Sequence, residues 1–259
     1  MAKLSTARQS AMQASPALAA LLLAPAFALP AGPARAEEQA PDAVADRAAF
    51  SKTGFYPLWE NTGGVLGHQH ALIGTGYFEL GLGDRAQVGV RPQEFLFRTP
   101  NVHGKLQLLA RGAIEWSAHV EVLALLPGAT SVFTSSNFVS RIDNTRGALW
   151  VVPVGSTLSW YPASFAAIHT TLSAMSVGGK EQPYYASLGL STVVELRALR
   201  NHGLLFHAAE IGFWRHDLFV MGVSWRLNLG WFAAQVGYFY RISPDGRQAS
   251  PLLSLGVTL

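Results

Sequence analysis

Glu115, Ser117, His119 and Glu121 alternate along one stretch of this chain, a hydroxyl, an imidazole and two carboxylates on a shared face. Those are the residue types of a serine hydrolase, in which histidine takes the proton of the attacking hydroxyl and an acid orients the ring. The spacing argues against that chemistry. Side chains two apart on a strand stand roughly 7 Å apart, whereas proton transfer needs about 3 Å. No Gly-x-Ser-x-Gly turn is present either. His68 and His70 form a second pair on one face. Zinc takes three or four ligands, and two histidines supply too few. His216-Asp217 reads as a turn pair. The expectation is no catalytic residue, no metal ligand and no cofactor.

A wider set of polar residues shares one property: each sits opposite apolar neighbours in an alternating run. These are Lys105, Gln107, Arg111, Glu115, Ser117, His119 and Glu121, then Glu195, Arg197, Glu210, Arg226, Asn228, Gln235 and Arg241. Lining a lumen, mixed charges could screen solutes in a pore. They could equally pair with one another and fill it. The residues alone leave both open.

The elements that must position them are strands. From Phe219 the odd positions are Phe219, Met221, Val223, Trp225, Leu227 and Leu229, with Ser224, Arg226 and Asn228 between them. After Gly230, one face carries Phe232, Ala234, Val236, Tyr238, Tyr240 and Ile242, and Leu253, Leu255, Val257 and Leu259 close the chain. Period-two alternation gives strands with one greasy and one wet face. We assign Phe219, Met221, Val223, Trp225, Leu227, Phe232, Val236, Tyr238, Tyr240, Leu255, Val257 and Leu259 to lipid. Trp116, Trp150, Trp160, Trp225, Trp231, Tyr184, Tyr238 and Tyr240 gather toward strand ends, as interfacial girdles do. A soluble sandwich or lipocalin-like barrel would need polar outward positions, which Phe219 to Ile242 does not offer.

Composition agrees. Residues 1–36 read as a secretory signal: Lys3 and Arg8, an apolar stretch from Ala17 to Leu29, and Ala34-Arg35-Ala36 before Glu37. Without them, 19 basic and 16 acidic residues become 16 and 16, because Lys3, Arg8 and Arg35 leave and no acid does. No basic cluster suits nucleic acid. The chain has no cysteine, which excludes disulfides, thiolate metal sites and a lipidated cysteine anchor. No apolar run reaches the roughly 20 residues of a spanning helix.

Residues 37–53 are acidic, rich in alanine and proline, and read as a flexible mature N-terminus; 54–259 read as one barrel domain. Eleven strand-like runs follow, from His70–Leu82 to the chain end. The run Gly104–Leu126 is split near Arg111-Gly112-Ala113 by a three-residue loop that keeps the alternation in phase. Pro92–Asn101 reads as a loop carrying Phe95, Leu96 and Phe97. Barrels of this kind have even strand numbers, short periplasmic turns and longer outer loops. Counting back from a periplasmic Leu259 leaves one strand missing at the start, and Phe55–Leu66 is the candidate. A strand within Ala129–Phe138 is the rival.

At this point the chain resembles Gram-negative outer-membrane β-barrel proteins. The signal, the alternating strands and the closing strand carry the likeness. It extends to small barrels with a Gly-Leu-Thr-Asp-Arg turn, matched here by Gly81-Leu82-Gly83-Asp84-Arg85, then Phe95-Leu96-Phe97 and Pro100-Asn101. Gly83 replaces the usual threonine, and Leu259 replaces the usual terminal aromatic. The resemblance implies an all-β antiparallel transmembrane barrel of about twelve strands, with ten as the alternative. It also implies export through the periplasm to the outer membrane. The expected partners are outer-membrane lipid and lipopolysaccharide, the barrel-assembly machinery and small solutes. The expected function is passive passage or binding of small molecules. The alternatives are a non-transporting barrel that presents surface loops, and a lipid-modifying enzyme.

Overall fold

The structure, a computed structural model, describes residues 62–129, 147–179, 182–199, 201–212, 218–243 and 246–259. The signal, the 37–53 stretch, Phe55–Asn61 of the candidate first strand and nearly all of the Ala129–Phe138 rival lie outside these. The described residues fall within one compact unit, Pro33–Leu259.

Twelve antiparallel strands close into a barrel. Three are short: β1 Ala71–Gly74, β2 Phe78–Gly81 and β3 Ala86–Val90. One helical turn follows, α1 Pro92–Leu96, where a loop is expected from the sequence. Proline opens it at a position where its missing N–H is not needed. The long strands are β4 Asn101–Arg111, β5 Ile114–Leu125, β6 Leu149–Ala163, β7 Ala166–Gly179 and β8 Gln182–Leu199. They continue with β9 His202–Ile211, β10 Leu218–Asn228, β11 Phe232–Ser243 and β12 Gly246–Thr258. Each strand pairs with its neighbour in sequence, and β1 pairs with β12 to close the ring.

The strand number is reached by a different route from the one the sequence suggests. His70–Leu82 is not one strand. Thr75–Tyr77 turns it into a hairpin, sealed by Gly74 N–H donating to the Tyr77 carbonyl at 2.8 Å. This puts the start of β1 at the same end as Leu259, whose carbonyl accepts from Ala71 N–H. No earlier strand is then required, and Thr62–Leu66 forms none.

The β4–β5 turn also differs from expectation. Arg111 pairs with Ile114, so the turn is two residues, Gly112-Ala113, with Gly112 at φ 52°. The phase is restored by a bulge between Gln107 and Leu109. The bulge carries Arg111 to the outward side, beside Ile114, where it is exposed.

Inward and outward faces separate sharply. Met221, Val223, Trp225, Val236, Tyr238, Leu255 and Leu259 are exposed, and Phe219, Leu227, Phe232, Tyr240 and Val257 are half-buried on the same outward face. Leu106, Val120, Leu158, Leu172, Leu190 and Phe206 extend this apolar exterior around the ring. Trp150, Trp160 and Trp231 are exposed as well.

The interior has two parts. Toward the end remote from Leu259 it is apolar: Leu123, Leu125, Leu149, Val151, Val177, Leu218, Val220, Phe239 and Leu252 belong to one buried cluster. Toward the other end it is polar.

Candidate functional site

A ring of about eight strands can be filled by its own side chains, and a wider one leaves room. In this twelve-stranded ring, Thr62–Leu66 takes part of that room. All five residues are buried, and the inner wall holds them with hydrogen bonds from four strands. Leu66 N–H donates to Gln87 Oε1 at 2.9 Å on β3. Lys105 Nζ and Gln107 Nε2 on β4 donate to Thr62 Oγ1 and the Gly63 carbonyl, each at 3.3 Å. Ser117 on β5 donates to the Thr62 carbonyl at 3.2 Å. Gly63 N–H donates to Ser159 Oγ on β6 at 2.6 Å. A segment without strand partners has thereby tied four of its backbone polar groups and one hydroxyl to the wall, as burial demands.

A polar lining shares the interior with this segment. Glu79 accepts from Gln87 Nε2 at 2.7 Å and lies 3.2 Å from His103 Nε2. Arg91 and Glu121 form a fully buried ion pair. Tyr161 donates to Glu115 at 2.6 Å. Glu195 lies 3.4 Å from Arg226 Nη1 and 3.8 Å from His169 Nε2. Arg226 also grips Gln235 Oε1 through Nε and Nη2, at 3.1 and 2.8 Å. Gln235 donates to Ser224, which lies 2.8 Å from His207 Nε2.

The sequence-assigned wet-face residues divide accordingly. Lys105, Gln107, Glu115, Ser117, His119, Glu121, Glu195, Arg226 and Gln235 lie on the inner face. Arg197 and Asn228 share that face at the turn end, where Arg197 donates to the Ser164 carbonyl and Asn228 caps Gly230 N–H. Arg241 shares it higher up, opposite Val220. Two do not. Arg111 is turned outward by the bulge. Glu210 pairs with Phe219 and stands on the outward face, while Ala209 and Ile211 share the buried, inward face of β9 with Leu205 and His207. Reading Ala209 and Ile211 as the greasy outer side inverts β9, because the inner face at that end of the barrel is itself apolar.

Ser117 and His119 are not brought together as a reacting pair. Ser117 engages Thr62, and the His119 ring lies over Gly155, where it leaves no room for a side chain. The serine–histidine contacts lie elsewhere. Ser159 Oγ is 2.6 Å from His169 Nδ1, whose far nitrogen faces Glu195. This hydroxyl is fully buried and already receives the Gly63 N–H. His68 is exposed, as is His70, and no cluster of three metal-ligating side chains occurs among the described residues.

Glu79, Gln87, Arg91, His103, Ser159, His169, His207 and Ser224 are site residues that the sequence reading missed. A signal for some of them exists: Thr157, Ser159 and Tyr161, then His169, Thr171 and Ser173, keep strict odd-position polarity on neighbouring strands.

No family model matches the chain, and no curated protein matches it. Among the solved structures that resemble it distantly are two outer membrane proteins. One is the outer membrane channel DcaP of Acinetobacter baumannii, 12% identical over 80% of this chain and 67% of that chain, with a TM-score of 0.35. The other is the Yersinia pestis outer membrane protein Ail in a phospholipid bilayer nanodisc, 11% identical over 74% of this chain and 100% of that chain, with a TM-score of 0.29. At these values neither speaks to activity.

Proposed function

We propose that the chain is an outer-membrane barrel that passes or binds small solutes and is closed at rest by its own Thr62–Leu66 segment. The observation that carries this reading is the set of hydrogen bonds tying Thr62, Gly63 and Leu66 to β3, β4, β5 and β6. Such a segment is held by side chains and not by a ladder, so it can leave without unzipping a strand. The lining behind it carries both signs of charge, which suits sorting of small polar solutes.

The exterior supports the location. Val236 sits mid-strand on β11, about half exposed, with Ala234 and Tyr238 beyond it on the same face. Water would not favour that band; hydrocarbon does. Val236→Arg should cost about 2–4 kcal/mol of stability in vesicles, read as a lower urea midpoint for refolding. A midpoint equal to the parent's would count against lipid at this face.

The function itself is tested by planar-bilayer recording. The refolded chain from residue 37 should hold a near-sealed bilayer with rare openings, and a form starting at His68 should conduct steadily. A shortened form that folds and stays sealed to all small ions would refute passage.

A further inference from the structure

The barrel wall has a notch. β1, β2 and β3 are four or five residues long, while the strands on either side run eleven and thirteen. β12 pairs with β1 only from Gly256 to Thr258, and Leu255 exchanges hydrogen bonds with Thr75 just above. From Arg247 to Ser254, the β12 edge facing away from β11 meets no strand among the described residues. Pro251 lies in this stretch. Proline lacks the N–H a ladder needs, so within sheets it keeps to edges.

The notch opens in the apolar band. Leu253 is 66% exposed on the outer face of β12, and Tyr238, beside Pro251, is exposed too. Its floor is the Thr75–Tyr77 turn and α1, in contact where Gln93 lies against Gly76. Phe95 and Leu96 of α1, and Phe97 just after it, are exposed. At about 4.8 Å between strands, three missing strand tops leave roughly 14 Å, room for hydrocarbon chains side by side. Yet bare backbone amides cannot face hydrocarbon alone, because each unsatisfied group costs several kcal/mol there. The occupant must therefore bring apolar chains and polar oxygens together. Arg247, exposed at the top of the open edge, adds a cation.

We propose that this notch seats an anionic acylated lipid of the surrounding leaflet. Its acyl chains lie against Leu253 and the α1 aromatics, its ester oxygens meet the open β12 edge, and its phosphate meets Arg247. The site rests on the membrane reading above and goes beyond it by naming a ligand and a place. A second strand would satisfy the same edge, but Pro251 interrupts the donor row that strand addition needs.

The chain has no cysteine, so single probes are clean. A fluorophore is placed at Ala249→Cys, exposed on the outward face of the open edge, and in a second protein at Leu190→Cys on the exposed face of β8. Both are refolded into phosphatidylcholine vesicles holding a trace of chain-labelled, quenching phosphatidic acid. Attraction of about 1 kcal/mol to one arginine corresponds to about fivefold local enrichment. Quenching at position 249 should exceed that at position 190 by about that factor. Arg247→Gln should abolish the excess, and a neutral quenching lipid should give none. Equal quenching at both positions overturns the lipid site and leaves the membrane reading intact. Quenching at neither position overturns both. Disulfide-linked dimers through position 249, formed under oxidation without quenching excess, assign the notch to a second copy and overturn the lipid.

Discussion

A Gly63→Val barrel should conduct where the parent is sealed. A Cβ at Gly63 would stand 2.5 Å from the Glu115 carbonyl oxygen and 2.8 Å from its carbon. Those atoms belong to the β5 backbone, which is fixed by ladders on both sides and cannot step aside. The segment has little stability to lose. Five hydrogen bonds contribute about 5 kcal/mol at about 1 each, and burial of Val65 and Leu66 about 4. Ordering five residues costs about 8. The remainder is about 1 kcal/mol, and overpacking typically costs about 1–3. The balance should therefore tip toward the released state while the wall remains. Single-channel recording should find long openings in place of brief ones. Gly104→Ala is the control, since its Cβ meets nothing closer than 3.8 Å and should leave the traces unchanged. A Gly63→Val protein that migrates as a folded barrel yet stays sealed would remove the segment from the mechanism.

The second large effect belongs to Arg226. It is buried with Glu195, and the two sit 3.4 Å apart. Replacement by methionine keeps the stem and deletes the charge, leaving a carboxylate in the interior without its arginine. Removing one partner of a buried pair costs about 3–5 kcal/mol. Gln235 would lose the guanidinium that engages its Oε1 as well. Arg226→Met should accordingly lower the urea midpoint sharply, and Arg226→Met with Glu195→Gln should recover most of the loss. A single-variant loss below about 1 kcal/mol, the scale of an exposed pair, would mean that water reaches the pair and that the lining is open.

Much of the wall was legible and much of the lumen was not. β10, β11 and β12 alternate most cleanly toward the Leu259 end, where the outward face is apolar and the inward face carries Ser224, Arg226, Gln235 and Ser254. The hairpin within His70–Leu82 was hidden because Gly74, Thr75 and Gly76 do not disturb the alternation; the turn shows only as small residues. The β4 bulge was hidden because two opposed one-residue shifts, the bulge and the shorter turn, cancel in phase. Glu210 misled because the interior changes character along its length, so a greasy residue there need not face outward. Thr62–Leu66 has no period at all. Its role depends on groups from Gln87 to Ser159, brought to it only by closure of the sheet.

The ring is joined unevenly. From Phe232–Val257 to Ser243–Gly246 the last two strands zip along their whole length, whereas the first and last meet only from Leu72–Thr258 to Gly74–Gly256. That short seam joins the two most distant parts of the folded sequence, so it brings the largest loop closure for the fewest bonds. The cylinder should consequently curl up from its long staves and latch there last. A pulling force or a mild denaturant should part it along the same line.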